Sequence, residues 1–123
     1  MYVKNVPSIR KQPLLEAHGA DPLYQIWWED DEQFDARKPE SMRGFTNFSR
    51  LTLKPGSTNR IHTHPDIEQV YLVTRGGGVV QVGEERREVK AGDAVFLPAN
   101  VPHGFFNTTE KLTLVYLFGV QVG

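Results

Sequence analysis

The run Gly56-Ser57-Thr58-Asn59-Arg60-Ile61-His62-Thr63-His64-Pro65-Asp66-Ile67-Glu68-Gln69-Val70-Tyr71-Leu72-Val73-Thr74-Arg75-Gly76 decides how this chain folds. It opens behind a Pro55-Gly56 turn signal and holds two histidines one residue apart, His62 and His64. In an extended strand successive side chains alternate faces, so residues i and i+2 point the same way and the two imidazoles can share one ion. A helix would instead need them three or four residues apart. Thr58, Arg60 and Ile61 before the pair, and Val70, Tyr71, Leu72 and Val73 after it, have the β-branched and aromatic character of strands. A third histidine, His103, follows a second turn-rich run, and the three together read as a metal site inside a small β-barrel.

The first run resembles the first motif of the cupin family: a glycine, His-x-His, a carboxylate or amide ligand, a strand and a closing glycine, here Gly56, His62, His64, Gln69 and Gly76. The second cupin motif appears as Gly92, Pro98, Asn100, His103 and Asn107, each at the family's spacing. One position departs, since Asn100 stands where glycine is usual. Asn is the non-glycine residue that best tolerates a left-handed turn, so the backbone requirement is still met. The two motifs span residues 56 to 107, a little under half the chain.

The resemblance implies an all-β, double-stranded β-helix (jelly-roll) barrel over residues 45–123, with residues 1–44 an arm of the same domain. It also implies His62, His64, Gln69 and His103 as ligands of one divalent transition-metal ion, whether Zn, Fe, Ni, Mn, Co or Cu. Glu68 competes with Gln69 for the amide position. Counting back from the closing Gly76 by the usual cupin spacing favours Gln69, and strand parity would point Glu68 to the opposite face. Three neutral imidazoles and an amide leave the ion's charge uncompensated, which favours Lewis-acid chemistry on an oxyanion or enediolate.

By parity Arg60 shares the face of His62 and His64, Tyr71 that of Gln69, and Phe105 that of His103. Arg60 is therefore a candidate carboxylate clamp and Tyr71 a candidate proton donor or acceptor, against readings as a rim ion pair and as core packing. Cupins host isomerases, lyases, dioxygenases, epimerases and non-catalytic binding domains, so the fold does not choose among them. The leading expectation is a metal-dependent isomerase or lyase acting on a small oxygen-rich anion such as a sugar acid or keto acid. A dioxygenase and a non-catalytic small-molecule-binding cupin are the alternatives. His18, the fourth histidine, lies beside Gly19 in a turn-like stretch and reads as an ordinary surface residue.

Composition bounds the rest. At 123 residues the chain forms one domain with a single core, and 14 basic against 15 acidic side chains give a net charge near zero. No basic stripe suggests a nucleic-acid partner, no apolar run approaches a membrane span, and Met1 to Pro7 lacks the apolar core of a signal peptide. The default expectation is cytoplasmic. With no cysteine there are no disulfides, thiolate ligands or cysteine nucleophiles.

From Phe45 onward short apolar runs alternate with turn signals: Lys54-Pro55-Gly56, Pro65-Asp66, Gly76-Gly77-Gly78, Gly83-Glu84-Glu85, Ala91-Gly92-Asp93 and Pro98. Such spacing predicts an antiparallel sandwich or barrel. Leu23 to Trp28 predicts a further strand, and the acidic stretch from Glu29 to Glu40 a solvated loop or, alternatively, a lid. Small cupins often dimerise through amino-terminal strands, so the resemblance also implies a homodimer.

Overall fold

The computed structural model describes residues 3–29 and 44–123. The acidic stretch, beyond its first residue, lies outside the described residues. Among them the chain forms nine strands: β1 Leu23–Glu29, β2 Phe45–Leu53, β3 Thr58–His62, β4 Ile67–Arg75, β5 Gly77–Val82, β6 Glu85–Lys90, β7 Ala94–Leu97, β8 His103–Phe106 and β9 Thr113–Gln121. Short 3-10 turns at Val6–Ser8 and Glu16–His18 precede β1.

The strands make two antiparallel sheets, one ordered β1-β2-β9-β4-β7 and the other β3-β8-β5-β6. From β2 on, the chain passes back and forth between the sheets, which is the jelly-roll arrangement the turn spacing predicts. Alternation is clearest in β9, where Thr113, Val115, Leu117 and Gly119 are buried and the residues between them are half-buried. In β4 the same period turns Gln69, Tyr71 and Val73 inward.

The core lies between the sheets and is built by Tyr24, Ile26, Leu51, Leu53, Tyr71, Val73, Val80, Leu97, Phe105, Val115 and Leu117. None of these comes from β3. The inner face of that strand instead carries the polar pair Asn59 and His62, and this sets where the site forms.

Two motif residues hold the loops that frame the site. Asn100 has φ +66°, so the asparagine does adopt the left-handed conformation expected of the usual glycine. Its side chain accepts from the Asp66 amide and donates to the Asp66 carboxylate, and its own N–H donates to the His64 carbonyl. Asn107 is buried; its amide donates to the Leu53 and Lys111 carbonyls at 2.9 Å each and accepts from the Thr109 amide and hydroxyl. Removing that amide strands buried carbonyls, so Asn107→Ala should lower the unfolding free energy by about 1–3 kcal/mol. Asn107→Asp should do no better, because a carboxylate cannot donate. Urea unfolding checks both, and a loss below about 0.5 kcal/mol would show that the loop is held by other contacts.

Candidate metal centre

The site forms where β3 and β8 pair. His62 ends β3, His103 begins β8, and the two stand directly opposite each other with ring centroids 4.6 Å apart. His64 lies two residues beyond β3, its ring 4.8 Å from His62 and 5.4 Å from His103. Both buried imidazoles are oriented through Nδ1, His62 towards the Arg60 carbonyl and His103 towards the Val101 carbonyl at 3.3 Å. Donation from Nδ1 leaves the lone pair on Nε2, the arrangement typical of metal-ligating histidines.

Gln69 points inward from β4 and lines a cavity of about 250 Å³ together with His64. Glu68 does not line that cavity and lies on the opposite face of its strand. Two polar atoms here are buried without a hydrogen-bond partner: His103 Nε2 and Gln69 Oε1. Unpaired buried acceptors are rare because each forfeits its hydration, so each of these calls for a missing partner.

Electrostatics narrows what that partner is. Burial holds the His103 imidazole down to about 4, helped by the neighbouring His62. Burial, with His62, His103 and His18 adding to it, holds His64 down to about 3, and burial also lowers His62. The rings are therefore neutral at pH 7, with lone pairs available to a cation. A divalent transition-metal ion fits this donor set of imidazoles and an amide.

The arm completes the surroundings, which sequence reasoning missed. His18, expected on the surface, instead packs against the site, its ring 4.1 Å from His62 and 5.8 Å from His64. The correction arises because the Glu16–His18 turn lies along β3, a contact between distant segments that no local pattern reveals. Asn59 and Tyr24 were missed as well. Asn59 Oδ1 meets His18 Nδ1 at 3.0 Å, and Asn59 Nδ2 donates to the Tyr24 hydroxyl at 2.8 Å.

Arg60 is the second correction. The β3–β8 register slips between Asn59 and His62, so one extra residue enters β3 and both Asn59 and His62 face inward. Arg60 and Ile61 consequently face out, and the Arg60 side chain lies against Gly19, where a Cβ would meet its Nε at 3.0 Å. Arg60 is thus no clamp in the cavity. Tyr71 does share the inward face of Gln69 but is a core residue, its ring 5.7 Å from Phe105 and 6.1 Å from His103. Burial pushes its phenol well above the ordinary value, which keeps it protonated near neutral pH.

A larger cavity of about 540 Å³, lined by Glu85, Arg87, Lys90, Asp93 and Val95 among others, has no imidazole in its wall. Of the two, the smaller cavity is the one with imidazoles in its wall, those of His18 and His64.

Comparison with known proteins agrees with this geometry. Residues 49–120 match the family model described as Cupin_2, cupin domain. The dimethylsulfoniopropionate lyase DddW of Ruegeria pomeroyi is 30% identical over 102 residues, covering 81% of this chain and 63% of that protein. The oxalate-binding protein of Thermotoga maritima is 33% identical over 61 residues, half of each chain. The chain thus spans less than two thirds of either curated relative. Among solved structures, a predicted oxalate decarboxylase from Thermotoga maritima superposes with a TM-score of 0.79 at 18% identity, covering 98% of this chain and 100% of that one. That likeness establishes the barrel, and the family match establishes the lineage: the chain belongs to the cupin family.

Proposed function

We propose that the chain holds one divalent transition-metal ion through His62, His64, Gln69 and His103, and acts as an isomerase- or lyase-type enzyme on a small carboxylate-bearing anion. The observation that carries this reading is the pair of unpartnered buried acceptors, His103 Nε2 and Gln69 Oε1, beside imidazoles that burial keeps neutral. When bound, the ion supplies Lewis acidity and attraction for anions, since no ligand charge offsets its own.

The chain's own residues set what fits. The cavity is smaller than the roughly 300–1,000 Å³ of drug-sized pockets, which restricts it to a molecule of few heavy atoms. Thr46 and Asn47 line it, and the Thr46 hydroxyl is buried without a partner, ready to donate to a carboxylate oxygen. The names of two relatives, one for an oxalate-binding protein and one for a dimethylsulfoniopropionate lyase, both concern small carboxylates and support the same substrate class. With Arg60 outside the cavity, recognition of the anion rests on the ion and these neutral donors.

Metal analysis should find about one divalent ion per chain, as one set of ligands forms one site. His103→Ala should remove most of it. Gln69→Ala should weaken binding about 10-fold or more and Glu68→Ala should change it little; the reverse order would overturn the assignment of Gln69. Calorimetry of the loaded protein with oxalate, glycolate, dimethylsulfoniopropionate and keto acids then tests the substrate class, and binding should vanish when a chelator removes the ion. Turnover without oxygen supports the isomerase or lyase reading. Oxygen-dependent turnover with iron would make the protein a dioxygenase, and binding without turnover a non-catalytic cupin.

The depressed imidazoles also set the pH response. Protons compete for the ligands only below their lowered values, so metal affinity should stay nearly flat from pH 7.5 to ~5.5 and fall below that. For the metal-free protein the sign follows from the unfolded chain binding more protons. Stability is fully present above the unfolded value near 6.5 and is lost as pH falls towards about 4 and then 3. Chelator competition and urea midpoints at stepped pH measure the two. An affinity that drops tenfold between pH 7.5 and 6.5 would show that the imidazoles are not held neutral by burial.

A further inference from the structure

We propose that His18, delivered by the amino-terminal arm, is a fifth protein donor to the metal. The proposal rests on the metal reading above and adds to it a residue outside both sequence motifs.

Four observations carry it. The ligand-capable nitrogens of His18, His62 and His64 lie within 4.8 Å of one another, close enough for one ion to bridge them. The His18 ring stands nearer to His62 than either motif histidine does, at 4.1 Å against 4.6 Å for His103 and 4.8 Å for His64. Its Nδ1 is engaged by Asn59 Oδ1 at 3.0 Å and by the Tyr24 hydroxyl at 3.1 Å. An amide oxygen only accepts, so Nδ1 carries the proton and the free lone pair is on Nε2, the same division that backbone carbonyls impose on His62 and His103. Finally, the turn that presents His18 is held in sparsely populated backbone conformations, with φ +59° at Leu15 and +45° at Glu16, of the kind that cluster at ligand clamps.

The surroundings keep the turn in place. The Thr58 amide donates to the Asp21 carboxylate at 3.3 Å, and the Arg60 side chain closes over Gly19. Asn59 is fully buried, so the group that orients His18 is itself fixed. The bulge that removes Arg60 from the cavity is what turns Asn59 towards the arm. His18 and Gln69 line the same cavity, so the fifth donor shares it with the incoming anion. The Thr46 hydroxyl, buried without a hydrogen-bond partner, lines that cavity as well.

The test uses the full chain loaded with Co²⁺. Each ligated histidine with a buried Nδ1–H gives a paramagnetically shifted exchangeable proton resonance, and His18→Gln should remove one of them while those of His62 and His103 remain. The same variant should change the Co²⁺ visible spectrum and weaken Co²⁺ binding about 10-fold or more. His18→Ala, loaded with Mn²⁺, should gain one bound water by proton relaxation. Circular dichroism and melting of the metal-free variants separate packing from ligation. A lowered melting temperature with resonances, spectrum and affinity unchanged would assign His18 a purely structural role and overturn the proposal. His103→Ala keeps the two readings apart: a wild type that binds no Co²⁺ overturns both. A wild type that binds it, loses it in His103→Ala and keeps it unaltered in both His18 variants overturns only the fifth donor.

Discussion

The site depends on the pairing of β3 with β8 and on the single extra residue that β3 carries there. The pairing sets His62 opposite His103, joining two segments far apart in sequence across one rung of a sheet. The extra residue turns Asn59 and His62 to the same side, so one short strand supplies both an imidazole and the amide that orients another imidazole. Without the bulge, regular alternation would put Arg60 inside and Asn59 outside, and the arm would have no partner on this strand. β3 is also the edge of its sheet, and the arm that lies along it covers backbone that would otherwise be open to another chain.

Placing imidazoles in an apolar barrel has an electrostatic consequence that shapes the site as a whole. Each ring loses hydration, and each would repel its neighbours if protonated, so all are driven to the neutral form. In His62 and His103 a backbone carbonyl accepts from Nδ1–H, which leaves the Nε2 lone pair to find another partner. A cation is the partner that satisfies several such lone pairs at once, whereas any pairwise hydrogen bond among them would need a donor on one ring and leave another unmatched. The same depressed values that lower the acid stability of the chain therefore leave the imidazoles unprotonated near neutral pH, the form in which a ring can ligate a cation.

Much of this was legible in the sequence, for a physical reason. Strand periodicity and turn chemistry are local, and β2 and β7 have the bounds the turn signals predict, Phe45–Leu53 and Ala94–Leu97. Asn100 was legible because its tolerance of positive φ is a property of its own side chain. Parity arguments held for Gln69, Tyr71 and Phe105, which lie in regular stretches of β4 and β8, and failed for Arg60. A bulge shifts parity by one and leaves no mark in residue type, so the failure sits at the irregular step between Asn59 and His62. His18 was illegible for a different reason: its place is set by the docking of the arm on β3, through Asp21, Asn59 and Arg60, and no periodicity links residue 18 to residue 59.

That division also bears on how one barrel serves many reactions. The family match covers residues 49–120, which include His62, His64, Gln69 and His103, while His18 and Tyr24 precede it. The barrel thus supplies His64 and Gln69 to the cavity wall, and the arm supplies Leu14, His18 and Tyr24. A change in the arm could alter which ligands reach the ion without disturbing the barrel core, apart from Tyr24 and Ile26, which the arm itself contributes to that core. The two parts meet along the edge of β3, where the ring nitrogens of His18 from the arm and of His62 and His64 from the barrel lie within 4.8 Å of one another.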